Sequence, residues 1–244
     1  MHSSNKLHLL TLIWMFLFHN NCIHASINES ELFIKKVAPH GIISIFGGGN
    51  HHQFSEKTQA YQLIRHFAKL WTNHPQGLIW PIASGGGSGI MEAAIRGARE
   101  ARLGKGRAIS LSFHFSNSLE KNTPYTIETL HYVYPTLELR ENALINHAQG
   151  IVIGLGGIGT VWEMMQSLDL IQTKLHKNIP VIILAPKDQG KKFALSFLNL
   201  IDMHLINKDH CKLLNITNNP QKTVDLLMMS LEQRIHDRTS SCFI

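Results

Sequence analysis

The chemistry in this sequence gathers at glycines. Gly150-Ile-Val-Ile-Gly-Leu-Gly-Gly-Ile-Gly-Thr-Val-Trp-Glu163 runs from an apolar stretch through Gly156, Gly157 and Gly159 to Thr160 and Glu163. Where a strand turns through glycines into a helix, backbone N–H groups and the positive end of the helix dipole converge on one spot. That spot suits an anion of phosphate size. Thr160 can cap the helix or bond the anion. Glu163, three residues on, brings a carboxylate to the same mouth, and a helix N-terminus favours its charged form. The pattern recurs in Ala83-Ser-Gly-Gly-Gly-Ser-Gly-Ile-Met91, and Phe46-Gly-Gly-Gly-Asn50 makes a third turn. Three glycine turns at one sheet edge are more than packing usually requires.

Other readings of the same residues compete. Thr160-x-x-Glu163 is also a capping box, in which the carboxylate only satisfies a backbone donor. Gly154-x-Gly156-x-x-Gly159 matches the dinucleotide fingerprint, which calls for an acidic residue at the end of the next strand. That strand ends Ile183-Leu-Ala-Pro186 with no acid, and the fingerprint falls on a late strand, so a nicotinamide oxidoreductase is set aside. Ser84 and Ser88 lack the Gly-x-Ser-x-Gly elbow of an esterase. Sixteen His include His51-His52 beside the first glycine turn and the pair His204 and His210, but no HExxH or Cys/His zinc spacing occurs. No metal is expected. Trp162 can stack on a base, although a Trp on a sheet-facing helix is more often core.

These turns need elements to hold them. Apolar runs predict strands over Gly41–Phe46, Leu78–Ala83, Arg107–Phe113, Thr126–Tyr134, Gly150–Ile153 and Ile179–Leu184. Helical spacing predicts helices over Ser55–Thr72, Gly89–Leu103, Thr136–Ala148, Thr160–Lys177, Lys191–Leu205 and Pro220–Ile235. The small residues Ala93, Ala94, Gly97 and Ala98 let their helix pack close to the sheet. The alternation specifies an α/β fold: a Rossmann-like, doubly wound parallel sheet with helices on both faces, in a single domain over 41–244. Ligands of such sheets sit beyond the carboxyl ends of the strands.

Composition narrows the class further. Of the 244 residues 44% are hydrophobic and 16% charged, which builds a core and excludes a wholly disordered chain. The net charge of +6 is scattered. Its densest cluster, Arg96, Arg99, Arg102, Lys105 and Arg107, has helical spacing without interleaved aromatics, the pattern of a solvated helix face rather than a nucleic-acid groove. The apolar run Leu9–Phe18, after Lys6 and before His19-Asn-Asn21, is too short to span a bilayer, which takes about 20 residues. It reads as the core of a signal peptide over 1–25, followed by a lead-in over 26–40. Export is the expectation, with no stable membrane insertion after processing, and a cytoplasmic location the alternative. The three cysteines, Cys22, Cys211 and Cys242, make no disulfide framework.

Taken together, Ser84-Gly-Gly-Gly-Ser-Gly-Ile-Met-Glu-Ala…Gly-Ala98, Arg140 on the helix before the last glycine turn, and Gly156-Gly-x-Gly-Thr-x-x-Glu163 resemble the LONELY GUY (LOG) family. That family was long labelled lysine decarboxylases and includes bacterial nucleoside 5′-monophosphate nucleosidases. Tyr134-Pro-Thr-Leu-Glu-Leu-Arg-Glu-Asn-Ala…Gly-Ile-Val-Ile looks closest to the nucleosidase branch. The resemblance implies a Rossmann-like homodimer or higher homo-oligomer, without cofactor or metal, that hydrolyses a nucleoside 5′-monophosphate to free base and ribose 5-phosphate. It implies Glu163 and Arg140 as the catalytic pair, and Gly156, Gly157, Gly159 and Thr160 as the phosphate loop. Ser84, Gly86, Gly87, Met91 and Gly48, on the other two turns, would complete the substrate site. A phosphate or ribose clamp suits an Arg that stays charged, and a carboxylate beside the anomeric carbon suits an oxocarbenium-like state. The chain departs from the family at Leu155, where Pro is usual, and at Trp162, where a second Glu is frequent. A binding module that has lost catalysis is the alternative those departures suggest.

Overall fold

The computed structural model of the chain describes residues 31–49, 52–113, 130–204, 206 and 212–241. The expected signal segment 1–25, the start of the strand expected from Thr126, His51, His210 and the three cysteines lie outside them.

A short helix, α1 over residues 31–37, leads into β1 (Ile42–Phe46). Then follow α2 (Gln59–Asn73), α3 (Gln76–Ile79), β2 (Ile82–Ser84), α4 (Ile90–Gly104) and β3 (Ala108–Phe113). After β4 (Leu130–Tyr134) come α5 (Leu137–Asn146), β5 (Ala148–Ile153), α6 (Ile158–Gln172) and β6 (Val181–Leu184). The described chain closes with α7 (Lys187–Asp202), β7 (Leu214–Thr217) and α8 (Pro220–Ser241). The seven strands form one parallel sheet in the order β4-β3-β2-β1-β5-β6-β7. The chain works outward from β1 to β4, then returns to β5 on the other side of β1. Strand order therefore reverses between β1 and β5, where a crevice opens beyond the strand ends in sheets of this kind.

Period-two alternation feeds two cores. Ile42 and Phe46 of β1, Ile151 and Ile153 of β5, and Val181 and Ile183 of β6 face a layer with Ile34, Leu144, Met164, Leu168 and Phe197. Ile43, Ile45, Val152, Ile182 and Leu184 face the opposite layer, built from α2, α4 and α8. Both faces are thus covered, as the apolar strands required. Ser44, fully buried in β1, donates its hydroxyl to the Leu144 carbonyl at 2.6 Å and so ties α5 to the sheet. Among the described residues, no helix is long and apolar enough to cross a membrane.

Several boundaries differ from expectation. Leu78 and Ile79 belong to α3, not to a strand: Trp80 N–H donates to Gln76 at 2.9 Å, and the Trp71 indole fixes the Trp80 carbonyl at 2.8 Å. The strand starts only after Pro81. The small face of α4 meets α2 as well as the sheet, since a Cβ at Gly97 would run into the Arg65 carbonyl. α4 loses helical geometry at Ala101, and Arg102 and Leu103 have positive φ. α6 begins at Ile158 and α7 at Lys187, both ahead of expectation. Two members of the basic cluster are occupied within the fold: Arg96 pairs with Glu56 and Glu100, and Arg102 donates to the Thr72 and His74 carbonyls.

Candidate active site

The register levels the three glycine turns. Ile45 lies opposite Ser84 on one side and Val152 on the other, so β1, β2 and β5 deliver their turns to the same height. The turns then interlock. Gly48 N–H donates to the Leu155 carbonyl at 2.9 Å, and the Gly48 carbonyl accepts from Ile90 at 3.0 Å. A Cβ on Gly156 would lie 2.7 Å from the Gly48 nitrogen and would collide with the Thr160 side chain. Gly89, at φ +67°, holds a left-handed conformation against the Gly48 carbonyl. Gly48, Gly89 and Gly156 are therefore glycine because backbones touch there.

Gly157 and Gly159 are different. A Cβ on either meets nothing within 4 Å, neither has positive φ, and both are exposed at the mouth. Packing does not explain them. They border the N-terminus of α6, whose first-turn amides have no intrahelical acceptor.

α6 also decides the capping-box reading. Its N-cap is Gly157, with no side-chain cap bond, so Thr160 sits inside the first turn and cannot be the cap. Thr160 is buried against Gly156. Glu163 turns inward on the same stripe as Met164, Ser167, Leu168 and Ile171, which anchor the helix in the core. On α5, capped by Thr136 through the Leu139 N–H at 3.3 Å, Leu144 and Ile145 do the same for Arg140 and Glu141 one turn earlier. Gln166 donates to Asn142 at 3.1 Å and pins the two helices together.

The result is a buried charge cluster. Arg140 Nη2 donates to Glu163 Oε1 at 3.4 Å and lies 3.9 Å from Glu141 Oε1. Arg140 and Glu163 are each 6% exposed and Glu141 8%. The guanidinium reaches under the β2 turn: a Cβ on Gly85 would lie 2.9 Å from Arg140 Nη1 and 2.8 Å from Met91 Sδ. Met91, Gly86 and Gly87 are buried in this turn, and Gly86 has φ +79°. Ser84 is buried too, its hydroxyl donating to the Ile45 carbonyl at 2.9 Å, which joins β2 to β1.

Glu141 is the residue that sequence reasoning passed over. Burial pushes its carboxyl above the usual glutamate range, while Arg140 and a hydrogen bond from Trp162 pull it back and the charge of Glu138 adds to the rise. Its signal was present: Glu141 and Ile145 share a helix face at i, i+4. Trp162, for its part, is not core. It is 60% exposed, because the buried stripe of α6 passes through 160, 163, 164 and 167 and leaves 162 outside. Among the described residues, no three His, Cys, Asp or Glu gather as a metal-holding group.

Fold and site together define a Rossmann-like α/β protein with a glycine turn leading into a helix N-terminus and a buried Arg/Glu pair at its switch point. Residues 91–227, more than half of the chain, match the family described as "Possible lysine decarboxylase". The chain belongs to that family, the LOG family. It is 30% identical over 120 residues to the pyrimidine/purine nucleotide 5′-monophosphate nucleosidases of Escherichia coli strains K12 and O157:H7, a match covering 47% of this chain and 26% of each relative. The match thus spans about a quarter of those relatives' length. Among solved structures, the molybdenum cofactor binding protein of Rippkaea orientalis superposes with a TM-score of 0.54 at 19% identity, covering 78% of this chain and 97% of that one. The Moco carrier protein of Chlamydomonas reinhardtii does so with 0.53 at 18%, covering 79% and 98%. At these identities the likeness establishes the fold.

Proposed function

We propose that this chain hydrolyses the N-glycosidic bond of nucleoside 5′-monophosphates, releasing free base and ribose 5-phosphate. The observation that carries the reading is the Arg140–Glu163 pair, buried beside a glycine turn that leads into the α6 N-terminus. The partial match to nucleotide 5′-monophosphate nucleosidases supports it. Bound substrate would place its phosphate at Gly156, Gly157, Gly159 and Thr160, where first-turn amides and the helix dipole complement a dianion. The open space at Gly157 and Gly159 gives the phosphate oxygens access to backbone.

Cleavage breaks the C1′–N bond with its electron pair leaving on the base, and water oxygen bonds to C1′. One water proton is lost to solvent or a carboxylate, and the base takes up a proton. Glu163 faces the developing positive charge at C1′ and steers the attacking water; Arg140 holds that carboxylate in place and clamps ribose or phosphate. Glu141, whose carboxyl keeps its proton to higher pH, is the group suited to supplying the leaving base. Met91 and the β2 turn close the site on one side, and exposed Trp162 offers a stacking face for the base. The reaction as written draws on no metal or cofactor.

Leu137 at the start of α5 and Ile158, Val161 and Trp162 at the start of α6 are exposed apolar side chains. We read them as the face that meets a second copy, placing the site at a homodimer interface; sedimentation velocity of wild type and Ile158→Glu tests it. The apolar run Leu9–Phe18 supports an exported protein, which cell fractionation would check.

The defining experiment incubates the protein with AMP, GMP, CMP, UMP and an N6-substituted AMP and follows free base by chromatography. Release from one or more supports the hydrolase and names the substrate group. Binding of a monophosphate without release of base would replace it with a binding module.

A further inference from the structure

The stretch between the first glycine turn and α2 carries a lone apolar side chain. From Gly47 to Thr58 every residue is glycine or polar except Phe54. Phe54 is half-buried and packs against the core layer built from α2, α4 and α8. Its ring edge occupies the space where a Gly48 side chain would stand. A Cβ on Gly48 would collide with the ring at Cε2 and lie 3.0 Å from both Phe54 Cδ2 and Gly156 Cα. A Cβ on Gly89 would meet the Phe54 Cβ at 3.4 Å. Phe54 thus stands where the turns after β1, β2 and β5 meet.

The segment that carries it is tied to helices. Thr58 Oγ1 donates to the Ser55 carbonyl at 2.8 Å and accepts from the Tyr61 N–H at 3.3 Å, capping α2. Gln62 donates to the Glu56 carbonyl at 2.5 Å, and the Glu56 carboxylate pairs with Arg96 on α4. Glu100 braces Arg96 in turn at 3.0 Å. The ring is therefore set by α2 and α4, and it bears on glycines that have no side chains to hold them. Gly48 passes the constraint on, because it donates to the Leu155 carbonyl and accepts from the Ile90 N–H. Glycine backbone has the widest conformational freedom, so a turn built of it keeps one shape only where something outside fixes it.

We propose that Phe54 is a positioning residue for the phosphate seat: it holds Gly48 and Gly156 in place and so presets the turn that leads into α6. The proposal rests on the hydrolase reading for where the phosphate sits. Preformed donors bind an anion without a further ordering cost, so losing the ring weakens every ligand whose phosphate sits there. Glu163 and Arg140 are spared, because Met164 and Leu168 anchor α6 and Leu144 and Ile145 anchor α5. The effect falls on KM far more than on kcat.

The test compares wild type with Phe54→Ala, Phe54→Leu and Leu70→Ala. Leu70 packs against the same core layer near the far end of α2, so its truncation removes packing away from the turns. Calorimetry with ribose 5-phosphate reads binding, steady-state kinetics with AMP read KM and kcat, and thermal melts read the fold. Phe54→Ala is expected to weaken ribose 5-phosphate about tenfold and to raise KM in step, with kcat little changed. Phe54→Leu should recover most of the loss, and Leu70→Ala should lower Tm yet bind as wild type does. If the melts show Phe54→Ala unfolded, Phe54→Leu against Leu70→Ala carries the comparison, with a smaller loss expected. Wild-type binding in the Phe54 variants, or an equal loss in Leu70→Ala, overturns the proposal and leaves the hydrolase reading standing. The binding arm needs no turnover: a wild type that releases no base fails the hydrolase reading, while Phe54 is still judged on ribose 5-phosphate. A wild type that binds no ribose 5-phosphate removes the seat and the proposal with it.

Discussion

The two ends of this sheet treat charge in opposite ways. Where the strands end, a single guanidinium sits between two carboxylates, each group almost wholly buried and Arg140 lying 3.4 Å and 3.9 Å from its neighbours. Where the strands begin, three cations and two imidazoles line one cavity with no acid among the described wall residues. The first arrangement is matched and dry, which suits groups that must keep one geometry while a reacting centre changes charge. The second has cations of one sign in its described lining and is open to solvent. Position in the fold accounts for the contrast: glycine turns bring helix N-termini and helix-borne side chains together at one end, while the other collects loops and the flanks of α1 and α8.

The sharpest way to break this comparison is Glu163→Gln. It should lower base release by at least about a hundredfold while leaving the fold and nucleotide binding in place, as read by steady-state kinetics and calorimetry. Next come the glycines that touch backbone against those that do not. Gly156→Ala should destabilise the protein by about 1–3 kcal/mol, since neither Thr160 nor the Gly48 backbone can yield freely. Gly159→Ala should hold or raise stability by up to about 1 kcal/mol, yet weaken monophosphate binding by about tenfold if the phosphate approaches that turn. Urea melts and calorimetry on the pair separate packing from ligand access.

Glu141 gives a smaller effect with a definite sign. Its folded carboxyl titrates above the ordinary range, so its contribution to stability is complete below the unfolded glutamate value and is lost as pH rises through the folded one. Wild type should therefore lose stability relative to Glu141→Gln over that window, in urea melts run across pH. If Glu141 also supplies the leaving base with a proton, the same substitution removes the fall in kcat on the alkaline side of that window. A purely structural Glu141 would change the melts and leave the shape of the rate profile alone.

Much of this was legible in the residues. Apolar runs bounded by glycines specified a parallel sheet covered on both faces, and the spacing from Gly156 to Glu163 put a carboxylate one turn inside a helix start. What escaped was mostly tertiary. Leu78-Ile79-Trp80 looked like a strand because local hydrophobicity does not reveal that Trp71 grips the Trp80 carbonyl. β7 is an edge strand with Asn215 in a half-exposed run and no clean alternation. For Trp162 residue type favours core over a stacking role, but phase decides otherwise: counting from Glu163, Ser167 and Ile171 puts it on the outer side. The basic cavity joins residues from 35 to 234, and no local pattern announces a wall assembled from elements so far apart in the chain.

The measurement that bears most directly on the central claim is the stoichiometry of AMP turnover by wild type and Glu163→Gln, side by side. The account predicts adenine and ribose 5-phosphate in equal amounts from wild type, and intact AMP bound but uncleaved by the variant. Equal turnover by both proteins would remove Glu163 from the chemistry. Bound AMP without adenine from wild type would contradict the hydrolase itself.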